Sequence, residues 1–167
     1  VYNSKIAANG ASSHAGGFYA EGTGSADLVN CTIVSNAIAG LGIGSRFSAT
    51  VTNTIVYYNA AGGLQAWGDI SFDYCDVQGS IWPGPGNFSF PPSLVPSTLD
   101  LLPGSVCIDA GNPDPAFNDV CFPPSQGGVR NDMGFTGGPG ACVGGDAPTI
   151  VTQPKSLTSC LGQSPTL

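Results

Sequence analysis

The sequence predicts an all-β chain, a parallel β-helix or solenoid finished by a loop-rich C-terminal cap. Three observations predict it. A pattern of about two dozen residues recurs, a glycine landmark keeps step with that pattern, and the composition favours short strands and turns over helices. The recurring pattern is Asn-x5-Asn around an apolar centre: NSKIAAN (Asn3 to Asn9), NCTIVSN (Asn30 to Asn36) and NTIVYYN (Asn53 to Asn59), with a weaker fourth copy, YCDVQG (Tyr74 to Gly79). Successive starts lie 27, 23 and 21 residues apart. The second landmark is Gly17-Phe18, Gly40-Leu41 and Gly63-Leu64, whose glycines precede the next copy by 13, 13 and 11 residues. Two features in phase are stronger evidence of a repeat than either alone.

Each unit holds two or three short β segments joined by turns. One unit cannot bury its own apolar face, and stacking copies does so. At ~4.8 Å per stacked strand the visible copies make a column of about four layers, with an unprotected sheet edge expected before Val1. The asparagines suit this plan because Asn tolerates left-handed turn conformations and stacked Asn side chains form hydrogen-bonded ladders.

Composition agrees. Gly (25) and Pro (14) are abundant among the 167 residues, and charged residues make up 9% against a typical ~25%. The 41% hydrophobic content separates the chain from disordered sequences, and the shortage of Lys and Glu leaves few surface helix formers. The net charge of −7 comes from 11 acids and four bases, Lys5, Arg46, Arg130 and Lys155. Without clustered Lys and Arg there is no nucleic-acid footprint, and an anionic membrane surface is disfavoured. Neutral carbohydrate, cations and other proteins remain as partners. No run reaches the ~18 apolar residues of a membrane span. A start at Val1 without a signal peptide reads as a mature or internal fragment, with an export signal expected upstream.

From about Ser80 the character changes. The stretches WPGPG (Trp82 to Gly86) and FPP (Phe90 to Pro92) interrupt any strand. Residues 1–79 therefore read as rungs. Residues 80–146 read as a terminal rung and cap covering the last core layer. GGDAP (Gly144 to Pro148) reads as a linker, and Thr149 to Pro154 begins a new strand.

At this point the chain resembles known proteins. The repeat is similar to those of right-handed parallel β-helices of the pectin-lyase-like class. PGSVCIDAGNPD (Pro103 to Asp114) resembles the S-P-C-I-D-A-G-[DN]-P signature that closes many bacterial surface β-helices, although Val106 stands where the proline usually is. NDMGFTGGPG (Asn131 to Gly140) resembles the matching D-[IM]-G-A-Y/F-x-G ending, and residues 147–167 are similar to the first strands of bacterial Ig-like modules. The resemblance implies a long multidomain protein outside the cell or on a bacterial surface, with further domains of the same polypeptide on both sides.

Six cysteines in an exported chain suggest disulfides. Cys31 and Cys75 take the same repeat position on rungs separated by the one carrying Thr54. Two rungs put their Cα atoms about 9–10 Å apart, beyond the ~7 Å limit for a bridge, so both are expected free and buried. Cys107, in an apolar closing strand, reads as a third buried thiol. Cys121 and Cys142 flank the cap and are expected to bridge. The position of Cys160 matches the first core cysteine of an Ig-like module, with Cys142–Cys160 as the alternative pairing. No C-x-x-C pair points to zinc.

The chemistry is sparse. Arg46 stands alone on its rung, and Asp27, Asp69, Asp73 and Asp76 are dispersed, whereas glycoside hydrolysis needs two carboxyls at a defined separation. His14, the only histidine, follows Ser12 and Ser13 in a Gly-rich loop, where it reads as a solvated residue and not as part of a triad. Asp109, Asn112, Asp114, Asn118, Asp119, Asn131 and Asp132 form an oxygen-rich set that would suit Ca²⁺, but their spacing is not that of an EF-hand and the same residues build turns without metal. Arg130 is expected to pair with a cap carboxylate. Tyr57, Tyr58, Trp67 and Trp82 are candidate sugar-binding aromatics, with an outward Tyr58 beside Trp82 as a platform, although at least two of the four are expected to serve the core or the cap. The reading is a non-catalytic structural or adhesive module. Its alternatives are the C-terminal part of a polysaccharide lyase or glycoside hydrolase whose active site lies upstream, and a carbohydrate-binding module.

Overall fold

The computed structural model describes residues 1–142, so the expected linker, the Ig-like strand and the partner of Cys160 lie outside the described residues. Ten short strands follow in chain order: β1 (Lys5–Ala7), β2 (Ala15–Ala20), β3 (Gly24–Val29), β4 (Thr32–Val34), β5 (Ala39–Ile43), β6 (Phe47–Thr52), β7 (Ile55–Tyr57), β8 (Leu64–Ala66), β9 (Asp69–Asp73) and β10 (Asp76–Val77). They form three parallel sheets, ordered β1-β4-β7-β10, β2-β5-β8 and β3-β6-β9. Every third strand stacks on the same sheet, which makes a β-solenoid of about three turns. Register follows the sequence period, since Lys5 pairs with Thr32, Thr32 with Ile55 and Ile55 with Asp76. Tyr2 adds a parallel bridge to Val29 on the outer edge of the third sheet.

The first residue of each repeat copy makes the corner between the third sheet and the first. Asn3, Asn30, Asn53 and Tyr74 all have left-handed backbone, at φ +40°, +51°, +51° and +54°. This conformation is uncommon for residues other than glycine, and Asn adopts it most readily. The closing asparagine of each copy builds the ladder. Asn36 Oδ1 accepts from the Asn9 backbone N–H (3.1 Å) and from Asn9 Nδ2 (3.0 Å). Asn59 Oδ1 accepts from Asn36 N and Nδ2 at 3.0 and 2.9 Å. Gln78 Oε1 ends the column by accepting from Asn59 N. The opening asparagines form no such continuous column. Asn53 Nδ2 reaches Asn30 Oδ1 at 3.4 Å, but their other side-chain bonds go to the C-terminal region.

The two sequence landmarks meet in space. A Cβ on Gly40 would lie 2.6 Å from Asn59 Nδ2 and 2.5 Å from Val56 Cγ1. One on Gly17 would lie 3.0 Å from Asn36 Nδ2 and collide with the Gly40 carbonyl. One on Gly63 would meet Val77 and the backbone of Gln78. Each glycine therefore makes room for the ladder residue of the next rung, which explains why the two motifs keep step.

Inside the coil, Leu28, Cys31, Ile33, Leu41, Val51, Val56, Phe72, Cys75 and Val77 form one buried cluster. Each large aliphatic or aromatic side chain here contributes roughly 1.5–3 kcal/mol by leaving water. Cys31 and Cys75 are free and buried. Their thiols sit against main-chain carbonyls, Cys75 Sγ with Val51 O and Asp73 O at 3.3 Å, and burial pushes the Cys75 thiol up to about 12.

The C-terminal region does two jobs. Residues 82–90 cover the last turn. Asn87 Oδ1 accepts from Cys75 N, Asn87 Nδ2 donates to Phe72 O, and Phe88 bridges Asp76 as a further rung would. The remainder, to Cys142, does not plug the end. It folds back along the outside of the first sheet and builds a second core of Val34, Ile55, Leu101, Cys107 and Met133. The first sheet is thereby buried on both faces, which explains why β4 is buried at all three positions. Cys107 is free and buried as expected, but it lies in a turn and not in a strand, because its segment packs by side chains and not by ladder hydrogen bonds.

Cys121 and Cys142 are bonded, with Cα atoms 5.4 Å apart across a separation of 21 residues. Replacing both by Ser should lower stability by about 3 kcal/mol in the chain-entropy account, read as an earlier midpoint in guanidinium unfolding. An unchanged midpoint would mean that the hydrogen bonds of the flank already fix this loop.

Candidate functional site

Of the acids of the C-terminal flank, Asp119 and Asp132 are buried, Asp109 is half-buried and Asp114 is exposed. Asp132 Oδ1 and Oδ2 accept from the backbone N–H groups of Asp109 and Gln126, both at 2.8 Å. Asp119 Oδ2 accepts from Asp132 N at 3.0 Å and its Oδ1 from Gly138 N. Both Asp109 oxygens accept from Gly128 N at 2.9 Å. Asp114 and Asn112 cap local turns through Ala116 N and Asp114 N, and Asn131 Oδ1 accepts from Asn30 Nδ2. Among the described residues no three His, Cys, Asp or Glu side chains converge as a metal site would need. The four carboxylates of the set accept main-chain N–H groups and hold loops. Burial pushes Asp119 up to about 6, with the neighbouring Asp132 charge adding to the rise, and burial raises Asp132 as well. Arg130 also differs from expectation. Its guanidinium donates to the carbonyls of Gly111 (2.9 Å) and Ala110, not to a carboxylate, because the nearby acids already serve main-chain amides.

Asp76 is a third buried acid. It opens β10 just past the left-handed corner at Tyr74 and is fully buried. Its Oδ1 accepts from Phe90 N at 3.1 Å, and its Oδ2 faces the Cys107 thiol at 3.6 Å. Burial pushes its carboxyl up to about 7 and drives the Cys107 thiol upward, an effect the Asp76 charge reinforces.

The aromatic candidates separate. Trp82 packs on Phe72 at 5.5 Å between ring centroids and belongs to the inner core's margin. Tyr57 packs against the second core. Tyr58 lies just past β7 with φ +56°, sets its ring edge-on to Tyr57 and donates its hydroxyl to Pro92 O at 2.9 Å. The expected Tyr58–Trp82 platform therefore does not form, since each ring serves a different cluster.

Trp67 finds different company. On the outward face of the second sheet, the register Tyr19↔Gly42↔Gln65 is followed by Glu21, Gly44 and Trp67. The bonds from Gly44 N to Ala20 O and from Trp67 N to Ile43 O continue that ladder. Two glycines thus occupy the middle rung between Tyr19 and Glu21 on one side and Gln65 and Trp67 on the other. The missing side chains leave a trough of about 200 Å³ lined by His14, Tyr19, Glu21, Gly44, Ser45 and Trp67. The Tyr19 ring leans over Gly42, where a Cβ would lie 2.7 Å from Tyr19 Cδ2. His14 sits between the other two rings, 4.6 Å from Tyr19 and 6.2 Å, edge-on, from Trp67. Tyr19 donates its hydroxyl to Glu21 Oε2 at 2.7 Å, a bond that raises the phenol above its ordinary value. Trp67 is 64% exposed.

Sequence reasoning singled out Trp67 but missed Tyr19 and Glu21, and it set His14 aside as a loop residue. The available signal was the alternation within β2 and β5: once Phe18 and Leu41 face inward, Tyr19, Glu21, Gly42 and Gly44 must face outward. Comparison of the chain with protein-family models, with curated proteins and with solved structures finds no match.

Proposed function

We propose that this chain is a non-catalytic structural and adhesive module of an extracellular multidomain protein. The observation that carries the reading is the engagement of four inner carboxylates, three of them buried. Asp76, Asp109, Asp119 and Asp132 all accept main-chain N–H groups, which fixes loops and leaves no opposed pair for acid–base work. In the trough, Glu21 is the one carboxylate of the lining, whereas hydrolysis of a glycosidic bond needs two. The disulfide fits an oxidising compartment, and no helix among the described residues is long and apolar enough to cross a membrane. The likeness of the repeat and of residues 103–114 and 131–140 to pectin-lyase-like β-helices and their closing regions supports a place in a bacterial surface protein.

Incubation with plant, algal and bacterial polysaccharides is the test. Neither reducing ends nor unsaturated ends should be released above the level of a heat-denatured control. Release of either, lost on changing Glu21 or Asp76 to the amide, would replace this reading by a polysaccharide-active enzyme.

A further inference from the structure

We infer that the trough on the second sheet is a subsite for one pyranose unit of an uncharged glycan, with the exposed ring of Trp67 as its stacking face and Glu21, Ser45 and His14 on its rim. The inference goes beyond the scaffold reading and can fail without it.

The trough is built by what the middle rung lacks. Gly42 and Gly44 are themselves buried, and a side chain at Gly44 would lie 2.5 Å from Glu21 Cβ, so the floor is backbone and cannot close by a rotamer change. Trp67 offers a largely bare ring, and an indole face packs well against an apolar C–H surface while its edge stays wet. A pyranose presents such a surface on one face and hydroxyls around its rim. Glu21 accepts hydrogen bonds from those hydroxyls, held in place by the Tyr19 hydroxyl, and Ser45 and His14 supply further polar atoms on the rim. Few polar groups set in an aromatic lining fix orientation in small-ligand sites.

Charge decides the class of sugar. The lining holds a carboxylate and no Lys or Arg, and the whole chain carries −7. A uronate or sulfated sugar would bring a second anion against Glu21, and like charges brought together oppose binding. Neutral hexose, pentose or N-acetylated units meet no such penalty.

The experiment follows intrinsic tryptophan fluorescence and calorimetry on the full chain. The probes are cellohexaose, xylohexaose, mannohexaose, chitohexaose in its N-acetylated form, hexagalacturonate and tetramethylammonium chloride. At least one neutral oligosaccharide should shift the emission and bind, and hexagalacturonate should not. Trp67→Ala should abolish the spectral shift and weaken binding about tenfold or more, as truncation of a central aromatic does. Ser45→Trp, at an exposed lining position, should block the trough while leaving the thermal midpoint in place. Tyr19→Phe, which releases Glu21, should weaken binding less than Trp67→Ala does. Binding of hexagalacturonate at equal or greater strength overturns the assignment to uncharged sugars. A response to tetramethylammonium alone makes the rings a cage for an organic cation. No response to any probe, or a neutral sugar retained equally by the Trp67→Ala and Ser45→Trp variants, removes the site. In all of these cases an absence of released products still leaves the scaffold reading standing, whereas product release with an intact sugar response would end the scaffold reading alone.

Discussion

Gly40→Ala should destabilise the solenoid by about 3 kcal/mol, the sum of an overpacked core position and a disturbed buried amide. The added methyl would meet Val56 Cγ1 at 2.5 Å and Asn59 Nδ2 at 2.6 Å. Neither neighbour can give way cheaply. Val56 is buried in the inner cluster. Asn59 holds Asn36 N and Nδ2 above it and donates to the carbonyls of Ile33 and Tyr57. Shifting Asn59 therefore disturbs several bonds on two rungs. For a chain of this size the thermal midpoint should fall by roughly 6–12 °C. Gly10→Ala is the control, because nothing lies within 4 Å of a Cβ there, and it should be neutral or stabilising by up to about 1 kcal/mol. Equal midpoints for the two variants would show that the glycine landmark has no steric role.

The second large effect is one of pH. Asp76 has its carboxyl pushed up to about 7 in the folded chain from an ordinary 3.8. Between pH 4 and 7 the folded chain holds a proton that the unfolded chain has released, so stability falls as pH rises through this window and levels off above it. A difference of about three units corresponds to about 4 kcal/mol. Asp119, raised to about 6, adds a slope of the same sign. Asp76→Asn keeps an oxygen for Phe90 N and presents an amide to the Cys107 thiol while carrying no charge at any pH. The variant should match the parent within about 1 kcal/mol at pH 4 and exceed it by a few kcal/mol at pH 8. Urea unfolding at pH steps between 4 and 8 measures this. Parallel curves for parent and variant would mean that Asp76 ionises at no cost, and the account of its burial would be lost.

How much of this was legible in the sequence depends on what each part is made of. The rungs were legible because they repeat: spacing alone gave the partners Lys5, Thr32, Ile55 and Asp76, and the repeat position of Cys31 and Cys75 was enough to see that they could not bridge. The fold-back of the C-terminal region was not legible, because its contacts are irregular. Met133 reaches Ile55 and Val34 through a second core whose members share no period. The burial of Asp76 was hidden for the same reason, since its cover comes from Cys107 and Phe90, distant in sequence. The trough was half legible. Trp67 stood out as a large aromatic among turns, but its surroundings are defined by two absent side chains, at Gly42 and Gly44, and an absence in one rung shows only when three rungs are set in register.

The strip from Asn131 to Gly138 has a mechanical consequence. It touches three successive turns: Asn3 Nδ2 donates to the carbonyls of Phe135 and Gly137, Asn30 Nδ2 to those of Asp132 and Gly134, and Gly134 N donates to Asn53 O. Lys5 adds its ammonium 4.1 Å from the centre of the Phe135 ring. A bare stack of repeats touches only its neighbours and can fray one coil at a time from an end. With a clasp running across its coils, no turn can peel away until the clasp lets go, and once it does every turn loses a fastening together. Under tension along its axis such a body resists to a threshold and then gives way as a unit, behaving less like a spring than like a buckled strap.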